Sequence, residues 1–278
     1  VRSVVQDAAL ALLLEVTGTP KPGNVDRHRD HPGLRFEHFM AGAVGSWPGL
    51  ELMTEDETPL GGAFDRAIEG MADQRGGNTQ FGALLLLAPL VRAAARGDLS
   101  SDGATGVVGA TSVDDAVSFY RAFEHVAVAV EDPPEGLDDL DVRRGSDGAP
   151  ALHERDLTLE GVMDLSAEVD GVAAEWVGGF ERTFESAGWL LADDGPVPDR
   201  ASRTFLRLLA DEVDTFVVKT SGREAAEEAT RRARAVLDGE ESGEELADEL
   251  VERGINPGTT ADLTAGALFV ALRRGLEV

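Results

Sequence analysis

Residues 34–47 read LRFEHFMAGAVGSW, with Phe36, Phe39, Met40, Ala43, Val44 and Trp47 recurring at spacings of three and four. That is the period of an α-helix with one face on a core, whereas a half-buried strand alternates every second residue. On this reading Arg35, His38, Gly42 and Gly45 take the opposite, polar side, with His38 at the surface. The same spacing returns at Phe64, Ala67, Ile68 and Met71, and again at Phe205, Leu208, Leu209, Val213, Phe216 and Val217. Strand-like alternation is almost missing. The pattern predicts an all-α protein, a single multi-helix domain over residues 1–278 with roughly nine to eleven helices.

Stop and start signals divide the remainder. A first helix over Arg2–Thr17 ends at Gly18, before Pro20. Its second half, AALALLLEV, is apolar on every face except for Glu15, which predicts burial and leaves that carboxylate at the edge of the core, in need of a cation, a metal or a hydrogen-bond donor. Asn78 is placed to cap a buried helix running from Thr79 to about Arg96. Further helices are read over Val113–Val130 and, as one long element, Leu159–Trp189. Capping boxes are read at Ser221 with Glu224 and at Thr259 with Asp262. The acidic, proline-bearing stretch 131–150 is expected to be a mobile loop.

Composition narrows the function. The 278 residues are 42% hydrophobic, contain no cysteine and carry a formal net charge of -27. No apolar run is long enough to span a membrane, and no small-residue cleavage site marks a signal peptide, so a cytoplasmic protein is expected. Without a basic stripe to displace counterions, nucleic acid is not an expected partner. Self-repulsion at this charge opposes compaction and is screened by salt, which points to a halophilic, salt-rich setting.

Against this acidity, TPKPGNVDRHRDHPG (19–33) gathers Lys21, Arg27, His28, Arg29 and His31 into one loop. Lys21 and Lys219 are the only lysines. The turn Gly76-Gly77-Asn78-Thr79 precedes a helix whose free amides can form an anion pocket. Asp65, Glu69 and Asp73 repeat every four residues along one helix edge, either as a Mg²⁺-holding row or as a solvated face.

Together EVTGTPKPGNVD, HRD, GGNT, VDTFVVKTSGRE and PGTTADL, spread from Glu15 to about Phe269, resemble the triphosphoribosyl-dephospho-coenzyme A synthase family. The resemblance implies an all-helical enzyme in which an acceptor hydroxyl of dephospho-CoA attacks C1′ of the ATP ribose and adenine leaves, with Mg²⁺ accompanying ATP. It implies a phosphate-holding set of Lys21, Gly23, Asn24, Arg27, Arg29, Gly76, Gly77, Asn78, Thr79 and Lys219. Asp26 or Asp30 would serve as base or metal ligand, His28 as hydrogen-bond donor or acid, and Glu15 as a further catalytic carboxylate. Asp30, Glu69, Asp73 and Asp262 would be the metal candidates. One departure stands out: where typical members read NTHKG or NTHRG, this chain has Asn78-Thr79-Gln80-Phe81-Gly82. That keeps open the same chemistry on another acceptor, or a nucleotide-binding protein without catalysis.

Overall fold

The computed structural model describes residues 2–133 and 135–278. Its elements are α1 (Val4–Thr17), α2 (Phe36–Gly45), α3 (Trp47–Met53), α4 (Leu60–Met71), α5 (Phe81–Ala95), α6 (Ser101–Val108), α7 (Val113–Ala122), α8 (Ala149–Glu154), α9 (Leu159–Ser166), α10 (Gly171–Val177), α11 (Glu181–Ala192), α12 (Val197–Asp211), α13 (Thr215–Ser221), α14 (Arg223–Leu237), α15 (Gly243–Glu252) and α16 (Gly258–Arg273). Two short 3-10 turns lie between α7 and α8. The all-α expectation holds among the described residues. The helix count was read too low: the described residues form sixteen.

The difference comes from breaks that leave hydrophobic periodicity untouched. The single helix read over Leu159–Trp189 is three. Asp170 caps α10 by accepting from the amides of Val172 and Ala173, and Phe180, at φ 62°, turns the chain through the left-handed region into α11. Glu175 braces that turn from inside, accepting from the amides of Arg182 and Thr183 and from the Thr183 hydroxyl. Neither capping box read in the C-terminal half forms. Gly222, at φ 89°, separates α13 from α14, and α16 begins at Gly258 with Thr259 inside its first turn.

α1, α5 and α16 pack on one another at the centre, and α5 and α16 are buried along almost their whole length. α3, α4 and α7 lie on one side; α11 and α12 lie on the other. A smaller apolar cluster joins α12 to α13, α14 and α15.

The opening stripe is real as a helix, but its face is different. Phe39 and Ala43 are buried, while Met40 and Val44 are 38% and 68% exposed. The glycine side does the packing instead. A Cβ on Gly45 would strike the carbonyl of Gly70 in α4, and one on Gly49 the backbone of Ala67. Close backbone approach substitutes for apolar side chains there.

The acidic segment after α7 folds onto the body of the protein. The Tyr120 hydroxyl donates to the Leu140 carbonyl at 2.6 Å, and Glu124 accepts from the Ser146 amide at 2.7 Å. No described helix is long and apolar enough to cross a membrane.

Candidate active site

A cavity of about 490 Å³ opens beside the N-terminal ends of α5, α10 and α16. Glu15, Asn24, Asn78, Thr79, Asp170, Lys219, Asn256, Thr259 and Asp262 line its polar end. Phe81, Phe119, Phe123, Val162, Met163 and Val169 add apolar lining, and residues 128–133, 137 and 140–142 also line it. Helix N-termini carry the positive end of the helix dipole, which suits anionic groups.

Six of the expected site residues therefore meet in one cavity although they span Glu15 to Asp262. The loop after α1 is what brings its share there. Asp26, fully buried, accepts from the Thr19 hydroxyl, the amides of Lys21, His28 and Arg29, and the Arg29 guanidinium. With five donors on two oxygens it organises the loop, and it does not line the cavity. Asn24 donates to Asn256 at 2.8 Å, and Gly23, at φ 75°, passes too close to the Ile255 carbonyl to carry a side chain. The loop is thereby fixed to the segment leading into α16.

Lys21 differs most from the expectation of a phosphate-holding loop lysine. It is fully buried, with its ammonium paired to Glu15 and donating to Asn24 at 3.0 Å. Burial pushes the Glu15 carboxyl up, and the Lys21 charge opposes that shift.

Several expected contacts lie outside the cavity lining. Arg29 is tied to Glu244 and Asp248 on α15. Arg27 and His28 are exposed, and exposed Asp30 accepts from the Phe36 amide to open α2. In the turn before α5, the Gly76 amide is taken by Gln74 Oε1, and neither Gly76 nor Gly77 lines the cavity; Asn78 and Thr79 do. The metal candidates do not converge. Glu69 pairs with Arg66, Asp73 is exposed, Asp65 is held by Arg121 and His125, and Asp262 alone lines the cavity. Among the described residues no group of three or more His, Cys, Asp or Glu side chains is arranged to hold a metal ion.

Both lysines serve this one site. Lys219 on α13 pairs with Asp170, the cap of α10, at 2.5 Å. Asp214 caps α13 and accepts from the amide and hydroxyl of Thr260 in the first turn of α16; burial raises its carboxyl. Asp262 projects beside Gly82 at the start of α5 and is shifted well upward, first by burial, then by the charges of Glu15, Asp214 and Asp170, against which the Ala83 amide acts weakly. Asp170, Asn256 and Thr259 were not anticipated as site residues. A polar residue at a helix start reads as a cap, and nothing local in the sequence shows that several such starts converge.

Phe81 and Gln80 explain the departure at NTQFG. Phe81 sits in an aromatic cluster, its ring centroid 5.1 Å from Phe64 and 4.9 Å from Phe123. Gln80 is buried, and neither its amide nitrogen nor its oxygen has a hydrogen-bond partner.

A helical bundle with a carboxylate-bearing nucleotide-sized cavity defines a class broader than one enzyme, and sequence comparison narrows it. Residues 2–277 match the family CitG, ATP:dephospho-CoA triphosphoribosyl transferase. The chain belongs to that family and is an enzyme of the triphosphoribosyl transferase class. A crystal structure from Archaeoglobus fulgidus, described as that of a possible triphosphoribosyl-dephospho-coA synthase, is similar with a TM-score of 0.68 and 28% identity, over 85% of this chain and 99% of that one. No curated protein sequence matches the chain.

Proposed function

We propose that this enzyme joins C1′ of the ATP ribose to a hydroxyl of dephospho-CoA and releases adenine, with the triphosphate retained on the transferred sugar. The observation that carries the reading is the convergence of Glu15, Asp262, Lys219 and the starts of α5 and α16 on one cavity, in a chain matching the family over residues 2–277. Ribosyl transfer needs a group to accept the hydroxyl proton and a polar setting for the departing base. Glu15, whose charged form the Lys21 ammonium favours against burial, fits the first need. The aromatic wall of Phe119 and Phe123 offers a face for a purine or for the pantetheine arm.

Charge sets a condition. The cavity lining carries Glu15, Glu131, Asp132, Asp141, Glu168, Asp170 and Asp262 against the single ammonium of Lys219. A bare triphosphate would be repelled, so ATP enters as its Mg²⁺ complex, the ion held chiefly by phosphate oxygens and water. Lys219 and the positive ends of α5 and α16 then take the phosphates. The reaction belongs in the cytoplasm, where ATP and coenzyme precursors occur.

A second reading rests on Gln80 and Phe81: the same transfer onto a different alcohol or amine, because the basic residue usual after this turn is replaced by a packed ring. Titration with Mg·ATP at matched ionic strength, followed by chromatography of the products, tests both. Lys219→Met is expected to bind Mg·ATP about tenfold more weakly, roughly 1.4 kcal/mol. Adenine formed with dephospho-CoA supports the first reading, adenine formed only with another acceptor supports the second, and ADP as sole product rejects both.

A further inference from the structure

The cavity holds two carboxylates with opposite surroundings, and the chemistry proposed above needs two opposite proton transfers. Glu15 on α1 has the buried ammonium of Lys21 directly on it. Asp262 on α16 has no such neighbour. The elements packed around it supply Glu15 from α1, Asp170 from the start of α10 and Asp214 from the start of α13, all acidic, together with the backbone at Gly82 and Ala83 of α5. The two lysines nearby are already used, Lys21 by Glu15 and Lys219 by Asp170. Asp214 is satisfied by the Thr260 amide and hydroxyl and the Val217 amide.

We infer that Asp262 is the general acid of the reaction, holding a proton on its carboxyl group and delivering it to the leaving purine. This rests on the ribosyl-transfer reading. In the step, the bond from C1′ to the purine nitrogen breaks with its electron pair passing into the base, and the Asp262 proton goes to a purine ring nitrogen, so that neutral adenine departs. The acceptor oxygen bonds to C1′ and its proton goes to Glu15. Transfer of that proton back to Asp262 through water restores the resting enzyme, and no further reactant is needed. A pair of carboxylates divided into acid and base by their environments is a general solution for glycosidic chemistry. Burial and three acidic neighbours push the Asp262 carboxyl well upward and favour its proton, whereas the Lys21 ammonium on Glu15 opposes the upward push of burial there.

The test uses the full-length enzyme and Asp262→Asn, which keeps size and neutrality and lacks only the transferable proton. Adenine release from Mg·ATP with dephospho-CoA is followed across pH, beside a ribose triphosphate donor whose base is nicotinamide, a cationic leaving group that needs no proton. Loss of about 10²–10⁴-fold in kcat with ATP is expected, with little change in KM. The nicotinamide donor should be used by the variant within a few-fold of the parent, and the alkaline fall in the parent's ATP rate should be missing from the variant. Equal losses with both donors, an unchanged ATP rate or a retained alkaline fall would each overturn the assignment. If the parent itself forms no adenine, the ribosyl-transfer reading falls and takes this inference with it; parent activity with an unimpaired variant removes the inference alone.

Discussion

Lys21 carries the strongest lesson at the scale of single residues. In sequence it is a loop lysine flanked by prolines, and replacing it would be expected to cost little stability. In the structure its ammonium is sealed against Glu15. Removing one partner of a buried pair strands the other, so Lys21→Met should destabilise by about 3–5 kcal/mol, and adding Glu15→Leu to it should recover most of that loss. Denaturant unfolding of the two variants checks this; equal losses in single and double variants would contradict it. Asp262 gives a pH-dependent counterpart. Its carboxyl is raised in the fold, so the folded state favours its proton; the stability this contributes is complete below the unfolded value and is lost as pH rises through the folded one. Asp262→Asn never has to ionise. Its stability relative to the parent should therefore climb with pH, measured by urea unfolding between about pH 5 and pH 9. A pH-independent difference would show that Asp262 ionises in the fold as freely as in the unfolded chain.

At the scale of elements, α2 and α4 meet backbone to backbone at Gly45 and Gly70, and neither carbonyl can yield to a side chain. Gly45→Ala should cost about 1–3 kcal/mol, visible as a lower melting temperature, whereas Gly62→Ala on the same α4, where an added methyl meets nothing closer than 3.9 Å, should be nearly neutral. This contact also marks how far the sequence could be read. Helical period was legible at α2, but its buried face was not, because hydrophobic counting gives glycine no weight while close packing gives it much. Breaks at Asp170 and Phe180 were hidden for a related reason: the apolar spacing continues across them. In the site, Glu15 was legible as the one charge on the apolar second half of α1, and Lys219 and Asp262 through the family resemblance. Arg27, His28 and Arg29 were misleading, since cationic character in a loop says nothing about which way the loop faces; Arg29 turns to α15. Asp26, expected as a base or metal ligand, anchors the loop from within and lies outside the cavity lining.

The whole molecule combines an acid-rich cavity with a formal net charge of -27. Surface ion pairs such as those of Arg232 and Arg253 with Glu228 and Glu249 offset only part of this repulsion. Raising KCl from about 0.1 M to about 3 M should increase the melting temperature, because screening removes repulsion that favours the unfolded chain. A melting temperature that falls with KCl would contradict the salt-rich setting. The central claim concerns which bond of ATP is broken. Supplying ATP labelled separately in the adenine ring and in the γ-phosphate, with Mg²⁺ and dephospho-CoA, follows both halves of the molecule at once. The ring label is expected as free adenine while the phosphate label moves, undivided, into the acceptor product; ring label recovered in ADP or AMP, with phosphate label set free, would contradict attack at C1′.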